Sequence, residues 1–384
     1  MKIPFSRPSI GEEEIAEVVA CLRSGWITTG PRTAQFERDF GAAVQAPHAL
    51  AVTSATAGLH LAMMALRLAP GDEVITTPIT WPATVNTIVL CGATPVLVDV
   101  EPETLNLDAR LVEAKLSART RAIVPVHYTG QPCDLDALGA LTRARGLRLI
   151  EDAAHAIGAE YRGRPIGAIG DAAVFSFHPI KNITTGEGGM VTTADDALAR
   201  AMRLLRFHGV ERDAWTAYGG GQLPLYDVTA PGLKYNLTDI QSAIGIHQLR
   251  KLAALNAERE RLARRYDDAL ARIPELRPLG RAPYPHRHAH HLYIVRLQLE
   301  RLTIDRNRFL AAVLDAGVGL GLHFTAVHEL TYYRDRLGDL RAALPVATDA
   351  SRRICSLPLF PGLSDAEQDR VVDVLEQTVH AHRR

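Results

Sequence analysis

Lysine is scarce in this 384-residue chain: Lys2, Lys115, Lys181, Lys234 and Lys251 stand against 38 arginines. A lysine at a chemically telling position therefore carries more information than usual. Net charge is absent as well. The 43 basic residues balance 43 acidic ones, which leaves no overall field to hold a nucleic acid or an anionic membrane. Cysteine is sparse, and Cys21, Cys91, Cys133 and Cys355 lie far apart with no C-x-x-C pair. That excludes a zinc knuckle, a redox pair or a secreted disulfide scaffold, and leaves free thiols in a reducing compartment. No window approaches the roughly 18 apolar residues of a membrane span, and the opening MKIPFSRPSIGEEE has neither a basic n-region nor an apolar signal core. We expect a cytoplasmic protein that touches neither nucleic acid nor membrane.

Several motifs are missing too. Neither G-x-x-x-x-G-K-[ST] nor G-x-G-x-x-G occurs, so P-loop and Rossmann readings lack their phosphate loops. His286, His288, His290 and His291 crowd together, but neighbours on a strand alternate faces and no cysteine or carboxylate set accompanies them. His328-Glu329 is not followed by a histidine at zincin spacing. We expect no metal.

What is present is a folded composition, 47% apolar and 22% charged with 29 Gly and 22 Pro, of a size for two or three domains. From about residue 50 to 195, short apolar β-rich runs alternate with Ala/Leu-rich helical stretches, the pattern of an α/β fold with a mostly parallel sheet covered by helices. Strands are expected at 73–78, 94–100, 121–128, 147–152, 172–177 and 189–193, and helices at 56–68, 83–91 and 135–145. The strand runs do not alternate because both faces are covered. A long helix over 238–271 leaves that layer, and its charged second half reads as a solvated face. A strand in HLYIVRLQL, a helix over 305–316 and a terminal helix over 364–380 complete a smaller α+β unit. We place a large domain over 1–250, N-terminal segment included, and a small C-terminal domain over 251–384.

Ligands of open α/β sheets sit at the carboxyl ends of the strands. Lys181 follows the buried run AAVFSF and precedes N-I-T-T-G-E-G-G, whose glycines permit close backbone approach. An ion-paired lysine fits that position; so does a desolvated one, lowered from ~10.4 until its neutral amine is a Schiff-base nucleophile. Asp152 closes LRLIED, where a helix cap, a metal ligand or the acid partner of a pyridine nitrogen would each fit. Ser54-Ala-Thr-Ala-Gly opens a helix with small residues and a hydroxyl, a cup for an anion. Together the three point to a pyridoxal phosphate (PLP) site.

The runs SGWITTGP (24–31), TSATAGLHLA (53–62), GDEVITTPITWPATVN (71–86), IEDAAHAIGAEYRGRPIG (150–167) and FSFHPIKNITTGEGGMVTT (175–193) resemble the DegT/DnrJ/EryC1/StrS family of sugar aminotransferases. The likeness continues through RFHGVERDAW, APGLKYNLTDIQSAI, GLHF and ICSLPLFPGL, so it covers essentially the whole chain. It implies a PLP-dependent transferase of fold type I, resembling aspartate aminotransferase. By motif, Lys181 would bond to the cofactor and shuttle the proton, Asp152 would pair with the pyridine nitrogen, and His155 would lie near the phenolic oxygen. Trp81 would stack on the ring. Ala55 N–H, Thr56 and Ser176 would hold the phosphate, with Asn236 reaching in from the other subunit of a homodimer with shared sites. His178 and His323 are candidate substrate contacts in an open, arginine-supplied cleft at the dimer interface. The likeness is greatest to the branch that makes UDP-4-amino-4-deoxy-L-arabinose for lipid A modification and polymyxin resistance, with L-glutamate as donor and 2-oxoglutarate as its product. Ala55 and His155, where many members have Gly and Gln, fit that branch, whereas ITTGEGG departs from its usual ITCAEGG. A related dehydratase group has His in place of the lysine, so Lys181 favours transamination. A UDP-, dTDP- or GDP-linked keto-hexose is the alternative substrate, and a non-catalytic PLP-binding regulator the remote alternative.

Overall fold

A computed structural model describes residues 2–210 and 226–384. The second half of the RFHGVERDAW run, from Glu211 on, lies outside the described residues. In chain order the strands are β1 (His48–Val52), β2 (Glu73–Thr76), β3 (Thr94–Leu97), β4 (Thr120–Val124), β5 (Arg148–Asp152), β6 (Glu160–Tyr161), β7 (Arg164–Pro165), β8 (Ala172–Ser176), β9 (Gly189–Thr193), β10 (Leu276–Pro278), β11 (His286–Arg287), β12 (Tyr293–Leu297) and β13 (Ile354–Leu357). Seven form one sheet in the order β1-β9-β8-β5-β4-β2-β3. From β3 to β8 the pairs are parallel, while β9 runs antiparallel to both β8 and β1. Two reversals leave β1 pointing the same way as β8. The carboxyl ends of β1, β2, β4, β5 and β8 therefore open on one edge, beside the first residues of β9.

Local chemistry sets the helices that cover this sheet. Ser54 caps the Ala55–Ala65 helix by accepting from Ala57 N–H at 3.1 Å, and Pro82 opens the Pro82–Leu90 helix. Asp134 caps Leu135–Arg145, which stops at Gly146 in the left-handed region. Such caps satisfy N–H and C=O groups that a helix cannot satisfy for itself. Gly58 lets the Ala55–Ala65 helix lie directly on the sheet: a Cβ there would sit 2.7 Å from Val174 and 2.8 Å from Val191. The helix axis is thereby aimed so that its N-terminus meets the strand ends.

The Asp239–Leu270 helix starts with a capping box between Thr238 and Gln241. Its first residue also caps another helix, because the fully buried Asp239 carboxylate accepts from the N–H groups of Gly30, Arg32 and Thr33. The same helix supplies Ile246 and Leu255 to the core under the large sheet, then Leu262, Tyr266 and Leu270 to a second core around β10-β12-β13. The division near residue 250 thus falls inside one continuous helix. The N-terminal segment departs from the expected plan, since Ile3 bridges to Val318 and packs in the second core. The solvated-face reading of this helix fails at one position: Arg259 is fully buried. The histidine run fares similarly. His286-Arg287 is a two-residue strand that ends before the remaining histidines, and the His288 and His290 rings, two residues apart, stack at 4.1 Å. All four cysteines are free thiols, and among the described residues no helix is long and apolar enough to cross a membrane.

Gly58→Ala tests the close approach. The gain in helix propensity is about 1 kcal/mol, whereas overpacking costs up to about 3 kcal/mol. Urea unfolding should show a net loss of about 1–2 kcal/mol. Unchanged stability would mean that the helix can rise off the sheet.

Candidate active site

A cavity of about 480 Å³ opens at the carboxyl edge of the large sheet. Each strand end contributes: Ser54, Ala55 and Thr56 after β1, Thr80 and Trp81 after β2, Val126 after β4, Asp152 and His155 from β5 onward, Ser176, His178 and Lys181 from β8 onward. His323 and Phe324 close it from the C-terminal half. Nine of the ten residues singled out from the sequence are thus brought together. The tenth, Asn236, is absent from the lining; it bridges to Val52 and its amide donates to the Thr29 hydroxyl. Among the described residues of this one chain no arginine lines the cavity; the arginine-supplied cleft is expected at a dimer interface. Arginines are held instead in surface ion pairs such as Arg110–Asp108, Arg119–Glu73 and Arg287–Glu160.

Lys181 stands on a tightly bound loop. Its N–H donates to His178 C=O at 2.8 Å, and Thr185 N–H and Thr184 Oγ1 both donate to Phe177 C=O. Asn182, beside it, donates to Ala289 C=O and to Asn256, both at 2.7 Å. Burial pushes the Lys181 ammonium down to about 7, with Arg259 adding to the fall and Asp152 opposing it. Asp152 is buried at the end of β5; its carboxylate accepts from Thr84 Oγ1 at 2.7 Å and from Ala154 N–H at 3.1 Å. Burial still holds its carboxyl above the ordinary range, despite those bonds and the nearby charges of Lys181 and His127. Its partners within the chain do not offset the loss of water.

The remaining groups have the same incomplete character. His155 is buried with Nδ1 unpartnered among the described residues, and burial keeps its imidazole neutral. It lies against Phe324, ring centroids 5.9 Å apart. Ser54 takes the Ala57 N–H, leaving those of Ala55 and Thr56, the first two of the helix, for an anion. Gly189 lets β9 start against that turn, since a Cβ there would be 2.7 Å from Ala55 N. Trp81 is 63% exposed and lies 6.0 Å from Phe324. His323 pairs through Nδ1 with Ser356 Oγ at 2.8 Å and stacks on Phe5, while exposed His178 stands at the rim.

Sequence reasoning passed over Thr84, which lies in the quoted WPATVN run one helical turn past Trp81. It also passed over His291 and Arg259. His291 was weighed only as a metal ligand, yet its Nε2 is 3.5 Å from Lys181 Nζ. Arg259 is masked by charged neighbours in its helix, and nothing local marks it as buried.

These groups together want a ligand with an anion at one end, a cationic ring nitrogen at another, and a carbonyl within reach of an amine. Pyridoxal phosphate offers all three, so the fold and the site define a PLP-dependent enzyme of fold type I. Comparison with known proteins agrees: the model of the DegT/DnrJ/EryC1/StrS aminotransferase family matches residues 8–376, and the chain belongs to that family. A protein from Streptococcus pneumoniae, described as a sugar aminotransferase and solved in PMP and PLP forms, is 35% and 34% identical in the two forms, with 99% of each chain covered and a TM-score of 0.91. Helicobacter pylori PseC, an aminotransferase involved in the biosynthesis of pseudoaminic acid, is 29% identical over 99% of this chain and 100% of its own, TM-score 0.91. The sugar aminotransferase CalS13 from Micromonospora echinospora is 33% identical over 98% and 99%, TM-score 0.86. The protein is therefore a PLP-dependent sugar aminotransferase, an enzyme rather than a regulator.

The lowered Lys181 amine makes a prediction about pH. Its neutral fraction grows as pH rises through about 7, so acylation of Lys181 by acetic anhydride in the cofactor-free chain should climb to a plateau with that midpoint. A lysine in an unstructured peptide serves as the control and titrates near ~10.4. A Lys181 midpoint matching the peptide lysine would show that the amine is solvated.

Proposed function

We propose that the enzyme moves the amino group of L-glutamate to C4 of a nucleotide-linked 4-keto sugar, with UDP-4-keto-L-arabinose as substrate and UDP-4-amino-4-deoxy-L-arabinose and 2-oxoglutarate as products. The observation that carries the reading is the cavity itself. Lys181 and Asp152 face one space whose rim is largely aromatic and imidazole, Trp81, Phe324, His178 and His323, with Glu187 the one carboxylate beside them. Aromatic faces suit the apolar face of a sugar ring, and imidazoles suit its hydroxyls.

Bound PLP supplies an electron-withdrawing ring that accepts the electron pair left when a proton departs from the amine-bearing carbon. The chain does the rest. Asp152, steadied by Thr84, would keep a proton on the ring nitrogen, and His155 would serve the phenolic oxygen. Ala55 and Thr56 N–H and the Ser176 hydroxyl would hold the phosphate, and Trp81 would pack on the ring. Lys181 Nζ, neutral above pH 7, takes the proton that leaves the amine-bearing carbon of glutamate and later returns one to the former keto carbon of the sugar. Asn236, outside its own cavity, completes the phosphate site of a second subunit in a homodimer. The arabinose product would feed lipid A modification and polymyxin resistance in the cytoplasm. A UDP-, dTDP- or GDP-linked keto-hexose is the second reading, kept because the similar H. pylori PseC is involved in the biosynthesis of pseudoaminic acid rather than of an aminoarabinose.

Mass spectrometry of products formed from glutamate and each keto-sugar nucleotide tests the substrate. UDP-4-keto-L-arabinose should turn over at least about 100-fold faster than the hexose nucleotides; the reverse order would replace it with a hexose. Lys181→Ala should lose about 1,000-fold or more in kcat while keeping its unfolding midpoint. Asn236→Ala should weaken PLP binding. Mixing the two variants should regenerate activity through dimers that hold one intact site, and no recovery would mean that each chain builds its site alone.

A further inference from the structure

The contact between Lys181 and the histidine loop is unused in the reaction as described. His291 is buried, its Nε2 lies 3.5 Å from Lys181 Nζ, and its Nδ1 has no partner among the described residues. As mere packing this is a poor arrangement, because an apolar side chain would fill the space without stranding a polar nitrogen. The loop that carries it is nonetheless fixed from three sides. His291 N–H donates to Thr129 C=O and Ala289 N–H to Gly130 C=O, both at 2.9 Å. Asn182, the neighbour of Lys181, donates to Ala289 C=O at 2.7 Å. From the long helix, Arg259 Nη1 donates to His291 C=O at 3.1 Å and also to Leu359 C=O at 2.9 Å. Thr129 and His290 both hold positive φ, 60° and 46°. Two non-glycine residues in the left-handed region beside one contact are kept there by surrounding structure, and such strain gathers at functional positions.

We propose that His291 is a positioning residue for Lys181: its Nε2 accepts one N–H of the lysine and so turns the amine lone pair toward the cavity. The proposal rests on the reading of Lys181 as the proton carrier. A neutral amine has one lone pair and two N–H groups, so engaging an N–H with an acceptor behind it narrows the directions left to the lone pair. When Nζ holds the transferred proton, the same acceptor keeps the ammonium in place. The charged or titratable groups around His291 are Lys181, His155 from the segment after β5, Arg259 from the long helix and His323 from the C-terminal half. Burial, together with these basic groups, holds His291 neutral, so that Nε2 stays an acceptor; Asp152 faces Lys181 in the same cavity.

Acylation of Lys181 in the cofactor-free chain gives a readout apart from turnover. In His291→Phe the ammonium loses its acceptor, so the labelling midpoint should fall by about half to one pH unit. With the loaded enzyme, kcat should fall about tenfold and KM for the keto sugar stay put. His291→Gln, which offers an amide oxygen, should restore most of both. An unchanged midpoint and kcat in His291→Phe would overturn the proposal. So would a His291→Gln variant as impaired as His291→Phe, and this second comparison stands even if the phenylalanine variant folds poorly. A wild-type Lys181 that labels like a lysine in an unstructured peptide would instead overturn the reading of the site on which the proposal rests.

Discussion

Two opposite charges removed from water without fully satisfying one another are the constraint on which this molecule turns. Burial raises the Asp152 carboxyl and lowers the Lys181 ammonium, and in each case it outweighs the attraction of the other. A self-sufficient salt bridge would show the reverse, with each group held more firmly in its charged form. The pair is therefore complete only when a third party brings a cation to the carboxylate and a carbonyl to the amine. Strand order makes the juxtaposition possible: β5 and β8 are parallel neighbours, so Asp152 and the loop after Ser176 leave the sheet side by side.

The rest of the scaffold keeps that edge narrow. The reversal of β9 returns the chain to the same edge, where Gly189 permits contact with the turn before the Ala55–Ala65 helix. Gly58 presses the helix onto Val174 and Val191. Asp239 ties the long helix to the N-terminal Pro31–Ala43 helix by capping it from outside, and Thr29 and Asn236 stand next to that joint. A residue expected to serve a second subunit thus sits where three chain segments are fastened. A point that reaches across an interface needs such support, because an unsupported loop would lose ordering entropy on each encounter.

Much of this was legible in the sequence, for physical reasons. Buried parallel strands announce themselves as unbroken apolar runs: β2, β3, β5, β8 and β9 lie within the stretches expected, and β4 begins one residue before its own. The Leu135–Arg145 helix matches residue for residue, since Asp134 and Gly146 mark its ends. The positions clustering at strand ends and the quoted family motifs located the cavity. Arg259 and His291 escaped because their roles are set by residues far away in the chain. Arg259 looks like its exposed neighbours until Leu359 and the histidine loop fold over it, and His291 looks like part of a polar run until Lys181 arrives 3.5 Å away. Ile3 joined the second core for a similar reason, a bridge to Val318 that no local pattern encodes.

Two cations buried near one another show why the scarce residue is the one in the cavity. Arg259 is fully enclosed, with Nη1 bonded to carbonyl oxygens and Nε without a partner among the described residues, yet burial lowers it only to about 10, and at neutral pH it remains a charge. Lys181 begins lower and reaches about 7. A guanidinium spreads its charge and holds its proton, whereas an ammonium concentrates it and yields to desolvation. The same loss of water therefore produces a fixed structural cation in one case and a switchable amine in the other. With 38 arginines available for ion pairs and packing, the chemistry of proton transfer still requires a lysine at position 181. The charge on Arg259 then acts on that lysine as a standing repulsion that helps to keep the amine neutral.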